Sequence, residues 1–541
     1  VATLPDNANE MFWSKDGNLW SHGRYGKEVT DYMGWIDVAL TMQGRVNEIN
    51  DFVERVRKEG FDRVILAGMG GSSLATYVLD QCLSSKEGLP LLVLDSTDPA
   101  TILRIEKDGP IGKALVIIST KSGSTAEPNA FCDYLLAKID KVKGASTGGN
   151  FVAITDPGSP FESRASELEF QKIFLNFPDI GGRYSALSYF GLVPAALMGI
   201  DLNKLLEPAV QIMDANGPGR KTDQCPAFEL GIELGEHCLA GRNKLTFILP
   251  ESLKSVGLWM EQLVAESTGK EGKGILPVAG EEIAPASHYG HDRVFAYIRE
   301  GHDKNHLLDT QISALRDAGQ PVIDCILNDR YDIGGEFMKW EIATAIAGAV
   351  IGINPFDQPN VQESKDITKR YVQMLEDKGS LPPETANCKD DSIEIFGGSG
   401  NTLEANFENF FGKVKPGDYI CLQAYLTESP KLDGALSKLQ AHLRDKFKVA
   451  CTCGFGPRFL HSTGQFHKGG PNTGHFVQLT QSDEVDVKVP KTKYTFGAFR
   501  NAQARGDKDA LLTHNRRVIR FELGSDVMGG VDKLDHLAKS K

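Results

Sequence analysis

Arg63-Val64-Ile65-Leu66-Ala67-Gly68-Met69-Gly70-Gly71-Ser72-Ser73 reads as a strand, a glycine-rich turn and the start of a helix. Residues 64–67 form a short apolar run suited to a parallel strand buried on both faces. The glycines that follow allow a ligand to approach the backbone, and the helix behind them offers its N–H groups to an anion. Ser73 stands where a dinucleotide fingerprint has its third glycine, so nucleotide binding of that kind is not indicated. Apolar runs recur at 91–94, 114–118, 151–154 and 172–175, with helical stretches between most of them. That alternation predicts a doubly wound parallel sheet, whose ligands bind outside the carboxyl ends of the strands.

The run ending at Ile118 leads into Ser119-Thr120-Lys121-Ser122-Gly123-Ser124-Thr125. Hydroxyls, backbone N–H groups and a helix N-terminus together fit a phosphate monoester. The same loop also fits a plain helix N-cap at Ser124 or Thr125. It lacks the Walker A pattern, which argues against a nucleoside triphosphate. Further on, Gly181-Gly182-Arg183-Tyr184-Ser185 precedes an apolar helix; the glycines let Arg183 reach a cleft, or equally a surface carboxylate.

A second α/β unit follows, with strands at 245–249, 294–297 and 322–327, a helix at 306–318 and an apolar helix at 341–353. A rigid turn at 354–360 opens a helix over 361–378, which places Lys365 in a first turn where the dipole disfavours positive charge. Residues 381–391 read as a linker. Beyond them lie strands at 419–425, 448–453, 475–479 and 517–523, a helix at 432–447, and a loop at 454–470 bearing His461 and His467. The expected organisation is α/β. A leader with a helix over 1–50 is followed by doubly wound parallel-sheet domains at 51–205 and 206–385, and by a mixed α/β C-terminal domain at 391–541.

With 541 residues the chain is too long for one core, and 41% hydrophobic with 24% charged residues is ordinary for a globular protein. A net charge of -13 argues against nucleic-acid partners, so anion binding calls for a local positive pocket, here expected around Lys121 and Arg183. Nine cysteines without a framework fit a reducing cytosol, so the expected location is cytoplasmic. No apolar run reaches membrane-spanning length. The histidine spacings match no zinc pattern, so no metal site is expected. The sequence begins at Val1 without Met, which fits a processed chain or part of a longer one.

The chemistry is expected in Trp259-Met260-Glu261-Gln262-Leu263-Val264-Ala265-Glu266-Ser267-Thr268-Gly269-Lys270. Gln262 and Glu266 are four apart and share one helix face. A carboxylate beside an amide that can hold a hydroxyl suits a general base acting on a polyol. By itself the stretch is more readily read as a surface helix with an ordinary Glu266/Lys270 pair.

Taken together, these segments resemble the phosphoglucose isomerase family, whose fold pairs two sugar-isomerase (SIS) domains. The carriers are residues 68–72, 120–125, 181–185, 262–270 and 356–365, in the family's order. The leader and the last unit look more like the isomerase half of bifunctional transaldolase/phosphoglucose isomerases, which implies a transaldolase domain ahead of Val1. The resemblance implies cofactor-free interconversion of glucose 6-phosphate and fructose 6-phosphate, in glycolysis and gluconeogenesis, by a family that is usually dimeric. It implies that Thr120, Lys121, Ser122, Ser124 and Thr125 hold the phosphate, with Gly70, Gly71 and Ser72 lining the substrate site. Glu266 would carry a proton between C2 and C1 through a cis-enediol(ate), Arg183 would stabilise its charge, Gln262 would orient a hydroxyl, and Lys365 would assist ring opening beside a histidine.

The sequence departs from the family at that histidine, usually found between the base and the late lysine. His288, His291, His302 and His306 fill the interval without matching context. The expectation is that the C-terminal loop supplies it, His467 first, since Gly464-Gln465-Phe466-His467 is similar to the family's Gly-Gln-His, and His461 second. Rival expectations are a sugar-phosphate sensor without turnover, an isomerase that also accepts mannose 6-phosphate, and an architectural module.

Overall fold

The computed structural model describes residues 4–20, 23–85, 87–302 and 305–540; Val1, where the expected leader begins, lies outside them. The first sheet holds β1 (Arg63–Gly68), β2 (Leu91–Leu94), β3 (Ala114–Ser119), β4 (Phe151–Thr155) and β5 (Lys172–Leu175), all parallel, in the order β2-β1-β3-β4-β5. Every residue of β1, β3 and β4 is buried, as expected of strands covered on both faces. Helix α1 (Leu74–Leu83) leaves the glycine turn, and α2 (Ala126–Lys143) leaves the Ser/Thr loop.

The second sheet is also parallel: β6 (Lys244–Ile248), β7 (Leu276–Val278), β8 (Arg293–Glu300) and β9 (Val322–Leu327), in the order β7-β6-β8-β9. β7 was not legible, being three residues long with Pro277 in its middle. Helix α3 (Val256–Thr268) carries the expected base. Helix α4 (Ile333–Ile351) starts well before 341, because Glu336 and Lys339, paired at 3.1 Å, break the apolar pattern of its first turns. Helix α5 (Pro359–Lys378) starts at a proline, and Lys365 therefore sits in its second turn rather than its first.

A third sheet combines β10 (Cys388–Asp390), β11 (Ile393–Phe396), β12 (Tyr419–Tyr425), β13 (Ala450–Phe455), β14 (Gly474–Thr480) and β15 (Arg517–Glu522), in the order β10-β11-β15-β14-β12-β13. Its β10–β11 and β11–β15 pairs are antiparallel and the rest parallel, so the sheet is mixed. The stretch read as a linker runs into β10, and within it Glu384 is held by Arg505 at 2.9 Å and Arg520 at 2.7 Å. The short helix α6 (Gly464–Gly469) and the long α7 (Phe496–Thr513) belong to this unit.

The three units share cores. Phe12, Trp20 and Trp35 of the leader join one apolar cluster with β1, β3 and α4, and the Trp20 indole donates to the Ala345 carbonyl at 2.9 Å. Phe496 of α7 packs on Phe131 and Tyr134 of α2, while Phe466, Tyr419 and Phe476 pack with Ala265 and Leu276. Helix α3 is thereby wedged between the second sheet and the C-terminal unit. No described helix is long and apolar enough to cross a membrane.

Candidate active site

Four segments meet at the carboxyl end of β1. Gly70 has φ +55°, a conformation open to glycine, and a Cβ there would lie 2.7 Å from the His461 carbonyl and 3.0 Å from Gln262 Nε2. A Cβ on Gly71 would collide with the backbone of Gly182. The glycine turn, the loop leading to Arg183, helix α3 and the C-terminal loop therefore touch one another, with glycines making the approach possible. Ser72 follows, half-buried in the same turn.

On α3, Gln262 and Glu266 point the same way, as their spacing requires. Gln262 Nε2 donates to Glu266 Oε2 at 3.0 Å and to the His461 carbonyl at 2.8 Å. Its Oε1 is buried without a protein partner, an acceptor left for a hydroxyl. Glu266 is 8% exposed, and Arg183 NH1 lies 3.5 Å from its Oε1. Arg183 is itself buried and fixed: Nε donates to Ser267 Oγ at 2.7 Å, NH1 to Gln358 Oε1 at 2.9 Å, and NH2 to the Pro355 carbonyl at 2.6 Å. Beside it Lys270 pairs with Asp357 at 2.8 Å; burial, and then the Arg183 charge, push its amine down to about 7.

The Ser/Thr loop lies at the carboxyl end of β3. Ser119 Oγ and Thr120 Oγ1 are buried without partners, while Ser122 Oγ and Ser124 Oγ are 3.0 Å apart. Thr125 occupies the N-cap position of α2, yet its side chain makes no capping bond, which leaves that hydroxyl available. Lys121 forms an ion pair with Asp156, whose carboxyl burial raises in spite of the lysine. Since Arg183 faces Glu266, each of the two cations has a carboxylate partner, and the positive pocket expected from them is offset.

The two histidines differ sharply. His461 Nε2 is 2.8 Å from Glu127 Oε1, in the first turn of α2, two residues past Thr125. Burial would raise the Glu127 carboxyl, but the charge and hydrogen bond of His461 outweigh it and hold the group below its ordinary range; Lys365 adds a smaller pull in the same direction. Gln503 supports Glu127 at 2.7 Å and is held in turn by Thr97 at 2.7 Å. His467 lies behind the site, 2% exposed, its ring against Phe459 and Phe476 and its Nε2 3.6 Å from Cys421 Sγ. Burial, then the charges of Lys468 and Arg516, hold His467 far below the ordinary histidine range.

Lys365 is exposed on α5 and makes no hydrogen bond or ion pair among the described residues. Glu127 escaped the sequence reading. Its one signal was a carboxylate in the first turn after a phosphate-type loop, which the helix dipole alone explains.

A family model described as phosphoglucose isomerase matches residues 35–275. The chain is 29% identical over 380 residues to a glucose-6-phosphate isomerase of Rubrobacter xylanophilus, spanning 60% of this chain and 85% of that protein. It is 30% identical over 363 residues to a glucose-6-phosphate isomerase of Thermosynechococcus vestitus, spanning 58% of this chain and 68% of that one. Among solved structures, a hypothetical protein of Thermus thermophilus superposes with a TM-score of 0.59 at 25% identity, covering 67% of this chain and 93% of that chain.

Proposed function

The chain belongs to the phosphoglucose isomerase family, and from that premise we propose how its cleft interconverts glucose 6-phosphate and fructose 6-phosphate. One observation carries the reading: a run of hydrogen bonds joins the base to the phosphate loop. It passes from Glu266 to Gln262 at 3.0 Å, on to the His461 backbone at 2.8 Å, and from the His461 ring to Glu127 at 2.8 Å, beside Thr125.

The phosphate occupies the Ser/Thr loop, where the unpartnered Thr120 hydroxyl, the free Thr125 hydroxyl and the N–H groups opening α2 receive it. Lys121 lines that loop, with Asp156 as its counter-ion before substrate arrives. His461, rather than His467, exchanges the proton that opens the ring. It borders the cleft and Glu127 fixes its orientation, whereas His467 is walled off. Lys365 assists from α5. Glu266 then takes the proton from C2 of the aldose, or C1 of the ketose, and returns it to the neighbouring carbon. The negative charge of the enediolate faces the Arg183 guanidinium, which its hydrogen bonds already hold in place.

A homodimer belongs to the same reading and rests on the family's usual dimer, and a transaldolase domain joined to this isomerase rests on the resemblance of the leader and the C-terminal unit to the bifunctional enzymes. A coupled assay of fructose 6-phosphate turnover, run on the wild type and Glu266→Gln, tests the base. A loss of ~10²–10⁴-fold is expected from removing a general base. A variant that keeps wild-type turnover would remove Glu266 from that role.

A further inference from the structure

Gln465 is fully buried in α6, four residues beyond His461, and the function reading gives it no task. Its amide meets the ends of two site helices at once. Oε1 accepts from the backbone N–H of Asn360 at 2.9 Å and of Val361 at 3.3 Å, the first N–H groups α5 has to offer after Pro359. The residue preceding that helix, Gln358, makes no capping bond of its own. Nε2 donates to the Gly269 carbonyl at 3.0 Å, just past α3, and to Asn360 Oδ1 at 2.8 Å. Backbone N–H groups only donate and a carbonyl only accepts, so these partners fix which end of the amide is oxygen.

The surroundings leave little room to shift. A Cβ on Gly469 would lie 2.5 Å from the Gly269 carbonyl and 2.6 Å from Gln465 Nε2, and one on Gly269 would run into Phe466. The helix that carries Lys365 is thus capped from another unit of the chain. The same amide ties that cap to the end of the helix that carries Glu266, and both to the segment that carries His461.

We propose that Gln465 is a positioning residue that sets Lys365 against the base and the histidine. The proposal rests on the function reading above, and it names the joint that aligns that site. A misplacement of about 1 Å at a remote support can cost ~10²-fold in rate. Gln465→Met keeps the volume and removes all four hydrogen bonds. In the wild-type background its kcat is expected to fall ~10–100-fold with KM changed less than about threefold. If Gln465 acts through Lys365, the same substitution made on Lys365→Ala costs less than about threefold in kcat, because the two positions couple. An equal loss in both backgrounds would overturn the proposal, as would a loss confined to KM. Should the methionine variant not fold, by circular dichroism and thermal melting, Gln465→Glu takes its place in both backgrounds and the same two outcomes decide, since it keeps the volume and an oxygen at the cap. Glu266→Gln is assayed alongside: turnover surviving there counts against the function reading, whereas a dead Glu266→Gln with additive Gln465 losses counts against this inference alone.

Discussion

The difference between His461 and His467 shows how far two like residues in one loop can diverge. His461 is only partly buried, its carbonyl accepts from Gln262, and a carboxylate orients its ring. His467 has its Nδ1 buried without a partner and its ring between phenylalanines, so protonating it would strand a charge in the interior. His461→Ala should therefore depress turnover on the ring-closed sugar more than on the open-chain form, by ~10²–10⁴-fold for the closed sugar. His467→Ala should leave that ratio unchanged and lower the melting temperature instead. Rapid-mixing kinetics with pure anomers, set against an open-chain substrate, separate the two. A ratio that moves with His467 and not with His461 would reverse the assignment. The sequence drew attention to this loop because a glycine- and histidine-rich connection is visible as such. It preferred His467 because a Gly-Gln context is local, whereas the Glu127 that pairs with His461 is 334 residues away.

Helix α3 carries Gln262 and Glu266 and is nevertheless buried almost throughout. Its later part was legible, since no glycine or proline stands between Gly257 and Gly269, whereas its start was not, because Gly257 lies inside the helix; mixed apolar spacings left a surface helix open. Packing decides the matter: Trp259 lies against Phe337 on one side and Ala265 against the Phe466 cluster on the other. The same packing carries Glu261 into the interior. Burial, opposed only by a hydrogen bond from the Ala279 backbone, pushes its carboxyl from 4.5 up to about 8. Between those values the folded chain holds a proton that the unfolded chain has lost. Its contribution to stability is complete below about 4.5 and is lost as pH rises through about 8. At ~1.4 kcal/mol per unit this amounts to a few kcal/mol. Urea unfolding at pH 5.5 and 8.5 should show Glu261→Gln flattening the decline seen in the wild type. An unchanged decline would mean that Glu261 is ionised in the fold.

On the scale of the whole molecule, the C-terminal unit completes the cleft. Arg458 reaches Asp95 at 2.7 Å and Arg500 reaches Asp98 at 2.6 Å across to the first sheet, while Gln465 holds the end of α3. The parallel sheets were legible because buried parallel strands announce themselves as apolar runs at regular intervals. This folding-back was not, since it depends on ion pairs between residues hundreds of positions apart, which no local pattern records. It implies that one chain holds Glu266 and His461 together. Mixing Glu266→Gln with His461→Ala should therefore restore no activity, and a regained rate would show that the site is shared between two chains. Proton transfer by Glu266 by way of an enediolate is tested most directly by proton NMR of fructose 6-phosphate incubated in deuterated water. Deuterium should enter at C1 with the wild type and at least ~10²-fold more slowly with Glu266→Gln. Equal deuterium uptake by the two proteins would contradict it.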